Sequence, residues 1–146
     1  MSAAPELDEV VAARLRAGGQ RFTSGRRRIV AVLREAAAPL TIPQVLAADR
    51  SLSQSSAYRN LAILEQVGVV TRIVTTDDFA RYELAEDLTE HHHHLICSTC
   101  GDVTDFSLRP ALESDLERAL RNVARRSSFT ALGHRLDLVG RCQACR

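Results

Sequence analysis

Four cysteines set the strongest constraint on how this chain folds. They are Cys97, Cys100, Cys142 and Cys145, two C-x-x-C pairs about forty residues apart. Two such pairs supply four thiolates, the donor set of a tetrahedral structural zinc site. The same residues could build disulfides, but a reducing compartment disfavours that. The separation is wider than in a zinc ribbon. Closing the site therefore ties the tail of the chain back to its middle.

Beside the first pair stands a run of four histidines, in the segment HHHHLICSTCG at 91–101. The run opens a predicted strand, HHHHLIC. Successive strand side chains point to opposite faces, so His91 and His93 face one way and His92 and His94 the other. One contiguous run can thus feed two metal sites. Imidazole suits zinc, iron, nickel and copper. His134, in a later predicted strand, and nearby acidic residues can add further donors.

Composition narrows the function classes. The chain has 146 residues, enough for one domain or two small ones, with 45% apolar and 25% charged residues. No apolar run approaches the roughly 18 residues of a membrane span. The first twenty residues carry acids and lack the apolar core of a secretory signal. A cytoplasmic protein without membrane association is expected. A net charge of +1 excludes a generic polyanion binder. The charge is uneven: residues 1–82 hold eleven arginines against eight acids, and residues 83–146 hold eight against ten. The first half is the better nucleic-acid candidate.

That half reads helical. ELDEVVAARLRA (6–17) is amphipathic and ends at Gly18-Gly19. Thr23 and Ser24 are candidate N-caps for GRRRIVAVLREAA, which Pro39 stops. Thr41 caps IPQVLAADR, and Ser53 caps QSSAYRNLAILEQVG, with Gly68 as its C′ residue. Two strand-like stretches, VVTRIVTT and ARYEL, flank Asp77-Asp78-Phe79 as a hairpin. Three helices and a hairpin outline a winged helix-turn-helix. The segment SQSSAYRN at 53–60 then opens its recognition helix. Ser53, Gln54, Ser55, Ser56, Tyr58 and Arg59 are types that contact phosphates or base edges. Arg26, Arg27 and Arg28 form either a solvated face or a phosphate grip. The second half alternates strand and helix: HHHHLIC, DVTDF, RPALESDLERALRNVARR with Ser107 as N-cap and Pro110 in the first turn, then HRLDLVGRC with the period of a half-buried strand.

Enzyme signatures are absent: the chain has no H-E-x-x-H, no phosphate-binding glycine loop and no G-x-S-x-G. A zinc storage or delivery module would explain the histidines and cysteines, but not SQSSAYRN or the hairpin. A metalloenzyme using His91, His93 and His134 would need an open coordination position and a general base, and neither is visible.

The order R-F-T-x-x-R-R (21–27), S-x-x-S-A-Y-R-N-L (53–61), R-Y-E-L (81–84), H-H-H-H-L-I-C-x-x-C-G-x-V-x-D-F (91–106) and G-H-R-L-D-L-V-G-R-C-x-x-C (133–145) resembles the ferric uptake regulator family over nearly the whole chain. The resemblance implies an α+β protein: an N-terminal winged helix-turn-helix DNA-binding domain (1–82), a hinge (83–90), and a C-terminal metal-binding α/β dimerisation domain (91–146). It implies a homodimeric, metal-responsive repressor that binds double-stranded DNA at a pseudo-palindromic operator. Cys97, Cys100, Cys142 and Cys145 match the structural zinc ligands. Glu83, His92, His94 and Asp105 match a sensor site at the hinge. His91, His93 and His134 match a further site in the dimerisation domain. Its usual Glu position falls on Leu112, so Glu113 is the candidate. Arg21, Thr23, Arg26 and Arg27, with Tyr58 and Arg59, match the DNA-binding segment. There are departures. No histidine stands near Pro39, where many iron and peroxide sensors place one. No cysteine precedes the histidine run, as in many zinc sensors. His93 stands where iron-type members have Asp. The resemblance is read as the zinc uptake regulator branch, with zinc as the regulatory as well as the structural metal. Iron(II) is the first alternative, then manganese, nickel or peroxide sensing.

Overall fold

The computed structural model describes residues 4–75 and 79–146. Asp77 and Asp78 of the expected hairpin turn lie outside the described residues. The first half forms α1 (Ala4–Ala17), α2 (Ser24–Glu35), the strand β1 (Leu40–Thr41), α3 (Ile42–Ala48), α4 (Gln54–Gln66), β2 (Val70–Val74) and β3 (Ala80–Leu84).

Capping chemistry places the helix starts. The Thr23 hydroxyl accepts from the Arg26 N–H, so Thr23 rather than Ser24 caps α2. Thr41 and Gln44 form a reciprocal capping box at α3. Ser53 caps α4 by accepting from Ser56 N–H. At the far end of α4, Gly68 has φ +77. Its N–H donates to the Glu65 carbonyl, and Val69 N–H donates to that of Leu64. This is a Schellman turn, with glycine where a side chain would be strained. Helix α2 stops at Glu35, ahead of Pro39, and α3 stops at Ala48 rather than Arg50.

The hairpin pairs Val70 with Leu84 through Val74 with Ala80. β1, a strand that no sequence signal marked, adds to it antiparallel, with Leu40 opposite Tyr82 and Thr41 opposite Arg81. Two residues are too few to show an alternation, and only the pairing reveals them. The helices and this three-stranded wing enclose one apolar core, in which Val11, Leu15, Ile29, Val45, Ala57, Leu61, Leu64 and Val69 are fully buried.

After a short 3₁₀ turn (Glu86–Leu88), the second half builds β4 (His93–Cys97), β5 (Val103–Phe106), α5 (Pro110–Arg126) and β6 (Asp137–Gly140), then a terminal 3₁₀ turn (Gln143–Cys145). The strand order is β5–β4–β6, with β5 antiparallel and β6 parallel to β4. Two expectations need correction. Ser107 does not cap α5: Arg109 is the cap residue and makes no side-chain bond there. The last strand is four residues long and is not half-buried, since Leu138 and Val139 are each 61% exposed. α5 buries no residue either, leaving Leu112, Leu120 and Val123 exposed. Among the described residues nothing covers these apolar side chains.

Candidate metal centres and DNA-reading face

The strand period divides the histidine run as its alternation requires, although β4 proper begins only at His93. Among the described residues three groups of donors result, in each of which all ligand atoms lie within 4.8 Å of one another: Cys97, Cys100, Cys142 and Cys145; His91, His93, Glu113 and His134; and Glu83, His92, His94 and Asp105.

The cysteine group forms because β6 runs parallel to β4, with Cys97 opposite Gly140. The chain then needs only two more residues to bring Cys142 alongside. All four cysteines are free thiols. Cys100 Sγ and Cys142 Sγ stand 3.8 Å apart. That is about the edge of a tetrahedron with Zn–S bonds near 2.3 Å, and far too long for a disulfide. The backbone N–H groups of Cys100 and Cys142 donate to Cys97 Sγ at 3.5 and 3.4 Å. With the Thr99 N–H they hold the Cys97 thiol at about 6. Its hydrogen bond with Cys142, helped by burial, pushes Cys145 up to about 12. Four sulfurs sharing protons in this way are a donor set that a zinc ion suits.

In the second group, Glu113 is the hub. Its Oε2 meets His93 Nε2 at 2.8 Å and its Oε1 meets His91 Nε2 at 2.8 Å. His134 Nε2 lies 3.0 Å from Oε1 but is not aligned for a hydrogen bond. Glu113, not Leu112, takes this position, because α5 turns its first-turn carboxylate toward β4. The His93 hydrogen bond, and then the neighbouring imidazoles, outweigh burial and hold the Glu113 carboxyl below its ordinary value.

The third group joins the two halves of the molecule. Glu83 lies within β3 of the wing, not in the connector. His92 and His94 come from the run, and Asp105 from β5 opposite His94. Glu83 Oε2 meets His92 Nε2 at 3.0 Å and His94 Nε2 at 3.2 Å. Burial pushes Glu83 up, but His94 and His92 outweigh it and hold its carboxyl below the ordinary value. The Glu83 hydrogen bond raises His94 against burial. Burial raises Asp105. Asp105 Oδ1 is buried without a hydrogen-bond partner and faces His94 Nε2 from 3.7 Å. A buried carboxylate oxygen left in that state fits a cation between the facing donors.

Two acidic residues outside the sequence-derived sets also reach histidines: Glu86, in contact with His91 Nδ1, and Asp137, 3.4 Å from His94 Nδ1. Glu86 belongs to no spacing motif and Asp137 lies within the G-H-R-L-D-L-V-G-R-C-x-x-C segment, but only the hinge turn and the β4–β6 register bring the two to the histidines.

On the helical domain, Gln54, Ser55, Tyr58 and Arg59 line the exposed side of α4, and Ser53 and Ser56 lie at its first turn. Arg21 is exposed on the approach to α2. Arg27 is exposed but pairs with Asp8 and stacks on Phe22, 4.0 Å from the ring centroid. Arg28 pairs with Asp49. Arg26 departs from the expected phosphate contact. It is 8% exposed, and its guanidinium donates to Asn60 Oδ1 at 3.1 Å and to the Arg21 carbonyl at 2.6 Å. Asn60 in turn donates to Ser56 Oγ at 3.0 Å. Arg26 fastens α2 to α4 from within.

A winged helix joined through a shared donor cluster to an α/β domain with two further clusters is an arrangement that suits a metal-responsive transcription regulator. The chain belongs to the ferric uptake regulator family, which it matches over residues 17–139. It is 30% identical over 145 residues to the peroxide-responsive repressor PerR of Staphylococcus aureus, covering 97% of this chain and 92% of that protein. Among solved structures it resembles a zinc-bound manganese uptake regulator, at 31% identity and TM-score 0.61, covering 93% of this chain and 98% of the other. It also shares the fold of the ferric uptake regulator of Helicobacter pylori, at 24% identity and TM-score 0.74, covering 99% and 94% of the two chains.

Proposed function

We propose that this chain is a homodimeric repressor that binds a pseudo-palindromic operator when a divalent ion occupies the Glu83, His92, His94 and Asp105 cluster, and that the ion is zinc. One observation carries the reading: the cluster takes Glu83 from the wing sheet, His92 from the segment just ahead of β4, and His94 and Asp105 from the second sheet. Filling it fixes the angle between the two domains. A bound ion supplies positive charge that holds the two carboxylates and two imidazoles together. With the angle fixed, both α4 helices of a dimer address successive half-sites at once. Without it, only a fraction of molecules has the competent angle, and apparent affinity falls by that fraction.

The cysteine cluster acts as a structural zinc site, and the His91, His93, Glu113 and His134 cluster as a second divalent-ion site within the dimerisation domain. The exposed apolar side chains of α5 and β6 support association with a second copy. Arg21, Thr23, Arg27, Ser53, Gln54, Ser55, Ser56, Tyr58 and Arg59 form the DNA-reading surface. No helix among the described residues is long and apolar enough to cross a membrane, which accords with a cytoplasmic repressor.

Four donors with two imidazoles suit four-coordinate zinc. Iron(II) or manganese(II) is the second reading, favoured by the two hard carboxylates of the same cluster. The deciding experiment is fluorescence anisotropy of palindromic promoter DNA, titrated with the dimer under buffered zinc, iron(II), manganese(II) or nickel(II). Activation by zinc at low free concentration supports the first reading, and activation only by iron(II) or manganese(II) the second. Equal binding at all metal levels overturns both. His94→Ala should abolish the activation while the dimer persists.

A further inference from the structure

The Glu83, His92, His94 and Asp105 cluster has a support that none of its own donors provides. Strand β6 lies parallel to β4 with Asp137 directly opposite His94. Asp137 Oδ1 stands 3.4 Å from His94 Nδ1, while its other oxygen stands 3.5 Å from Arg135 Nη2. On the far side of the ring, His94 Nε2 faces Glu83 Oε1 at 3.1 Å and Asp105 Oδ1 at 3.7 Å. The ring is therefore gripped at both nitrogens from different strands, and the two nitrogens are not equivalent. Nδ1 meets a carboxylate that lies outside the donor group, and Nε2 points into it.

We propose that Asp137 is a positioning residue for the hinge site: by accepting the Nδ1–H of His94 it fixes the tautomer whose Nε2 lone pair is available to an ion. The inference rests on reading this cluster as a metal site. A neutral imidazole carries one N–H and one lone pair, and an acceptor at one nitrogen decides which is which. Carboxylates that hold the far nitrogen of a ligating histidine typically change metal affinity by about 10–100-fold when removed. The geometry also has a consequence for the tail. Asp137 is five residues before Cys142, on the strand that the cysteine cluster holds against β4. One register of β6 on β4 thus brings both Asp137 to His94 and Cys142 to Cys97, and the two sites are linked through a strand rather than through space.

The test uses the full-length dimer, with zinc retained at the cysteine cluster, in competition with a chromophoric chelator. In Asp137→Ala, binding of the hinge-site zinc should weaken about 10–100-fold, while the cysteine zinc and the dimer remain. Asp137→Asn, which keeps an acceptor oxygen, should recover most of the affinity. At saturating zinc the Nδ1–H proton of His94 adds an NMR readout that a merely structural role would not move: it should be shifted downfield and slow to exchange in the wild type, and lose both features in Asp137→Ala. Unchanged zinc affinity, or a His94 Nδ1–H signal that is the same in Asp137→Ala, overturns the proposal. A wild type that takes up no zinc at the hinge overturns the metal-site reading itself, and with it the proposal, and is told apart because the intact protein already fails.

Discussion

At the scale of single residues, the same side-chain type serves opposite ends. Of three consecutive arginines, Arg27 and Arg28 lie on the surface while Arg26 is buried against Asn60. A buried guanidinium must keep its acceptors, since an unmet one costs more than the bond contributes. Asn60→Ala should lower stability by about 1–3 kcal/mol, read as a shift in the urea midpoint of the protein. A midpoint unchanged within error would mean that Arg26 finds another partner. The hinge residues carry a pH signature in protein that holds metal only at the cysteines. Glu83 is held below its ordinary 4.5, so its contribution is present above that pH and is lost as pH falls through the lowered value. His94 is raised above 6.5, so its contribution is complete below 6.5 and is lost as pH rises through the raised value. The Glu83–His94 contact should therefore be strongest between about pH 4.5 and 6.5. Above their raised values the imidazoles of His92 and His94 are neutral and free to bind an ion. Hydrogen exchange in β3 and β4 across pH 4–8, with and without added zinc, checks this. Protection by zinc that grew toward acid pH would contradict it.

At the scale of elements, α4 and α5 end in the same way with different residues. Each closes in a Schellman turn, but where α4 has Gly68, α5 has Ser128 at φ 51. Ser128 N–H donates to the Arg125 carbonyl and Phe129 N–H to that of Ala124. A side chain in the left-handed region is strained, so Ser128→Gly should raise stability by about 1 kcal/mol, seen as a Tm a few degrees higher. A lower Tm would show that the serine side chain contributes something glycine cannot. Leu61 is wholly buried in the helical core. Leu61→Ala should cost about 2–5 kcal/mol and weaken DNA binding through the loosened α4, measurable by thermal melting beside anisotropy. Much at this scale was readable in advance. Thr23, Thr41, Ser53 and Gly68 mark helix ends by chemistry within three or four residues. Ser107 misled because Pro110 sets the start of α5 by itself, with no side-chain cap. β1 escaped notice because its two residues are defined only by their partners on β3.

At the scale of the whole molecule, the second half is incomplete alone. Leu138 and Val139 on an edge strand, with Leu120 and Val123 on a helix that buries nothing, need a covering surface. Val139→Asp should shift the dimer toward monomer in sedimentation velocity at micromolar protein, leaving the winged-helix domain folded. An unmoved sedimentation coefficient would place the dimer contact elsewhere. Cys97→Ser should free the tail, lower the melting temperature of the second sheet and release zinc, because a structural zinc site stores folding free energy. A variant that kept zinc and its melting temperature would exclude the structural role. The sequence by itself determined the local and periodic features: the helix caps, the winged outline, the division of His91 and His93 from His92 and His94, and the pairing of two C-x-x-C motifs. These follow from interactions a few residues long or from strand geometry that any chain obeys. Tertiary structure alone decided that Arg26 turns inward to Asn60, and that Glu86 and Asp137 reach His91 and His94. Those outcomes depend on the rotation of α2, on the hinge turn and on the parallel register of β6 with β4. Such relations are fixed by packing between segments distant in the chain, where no local spacing records them.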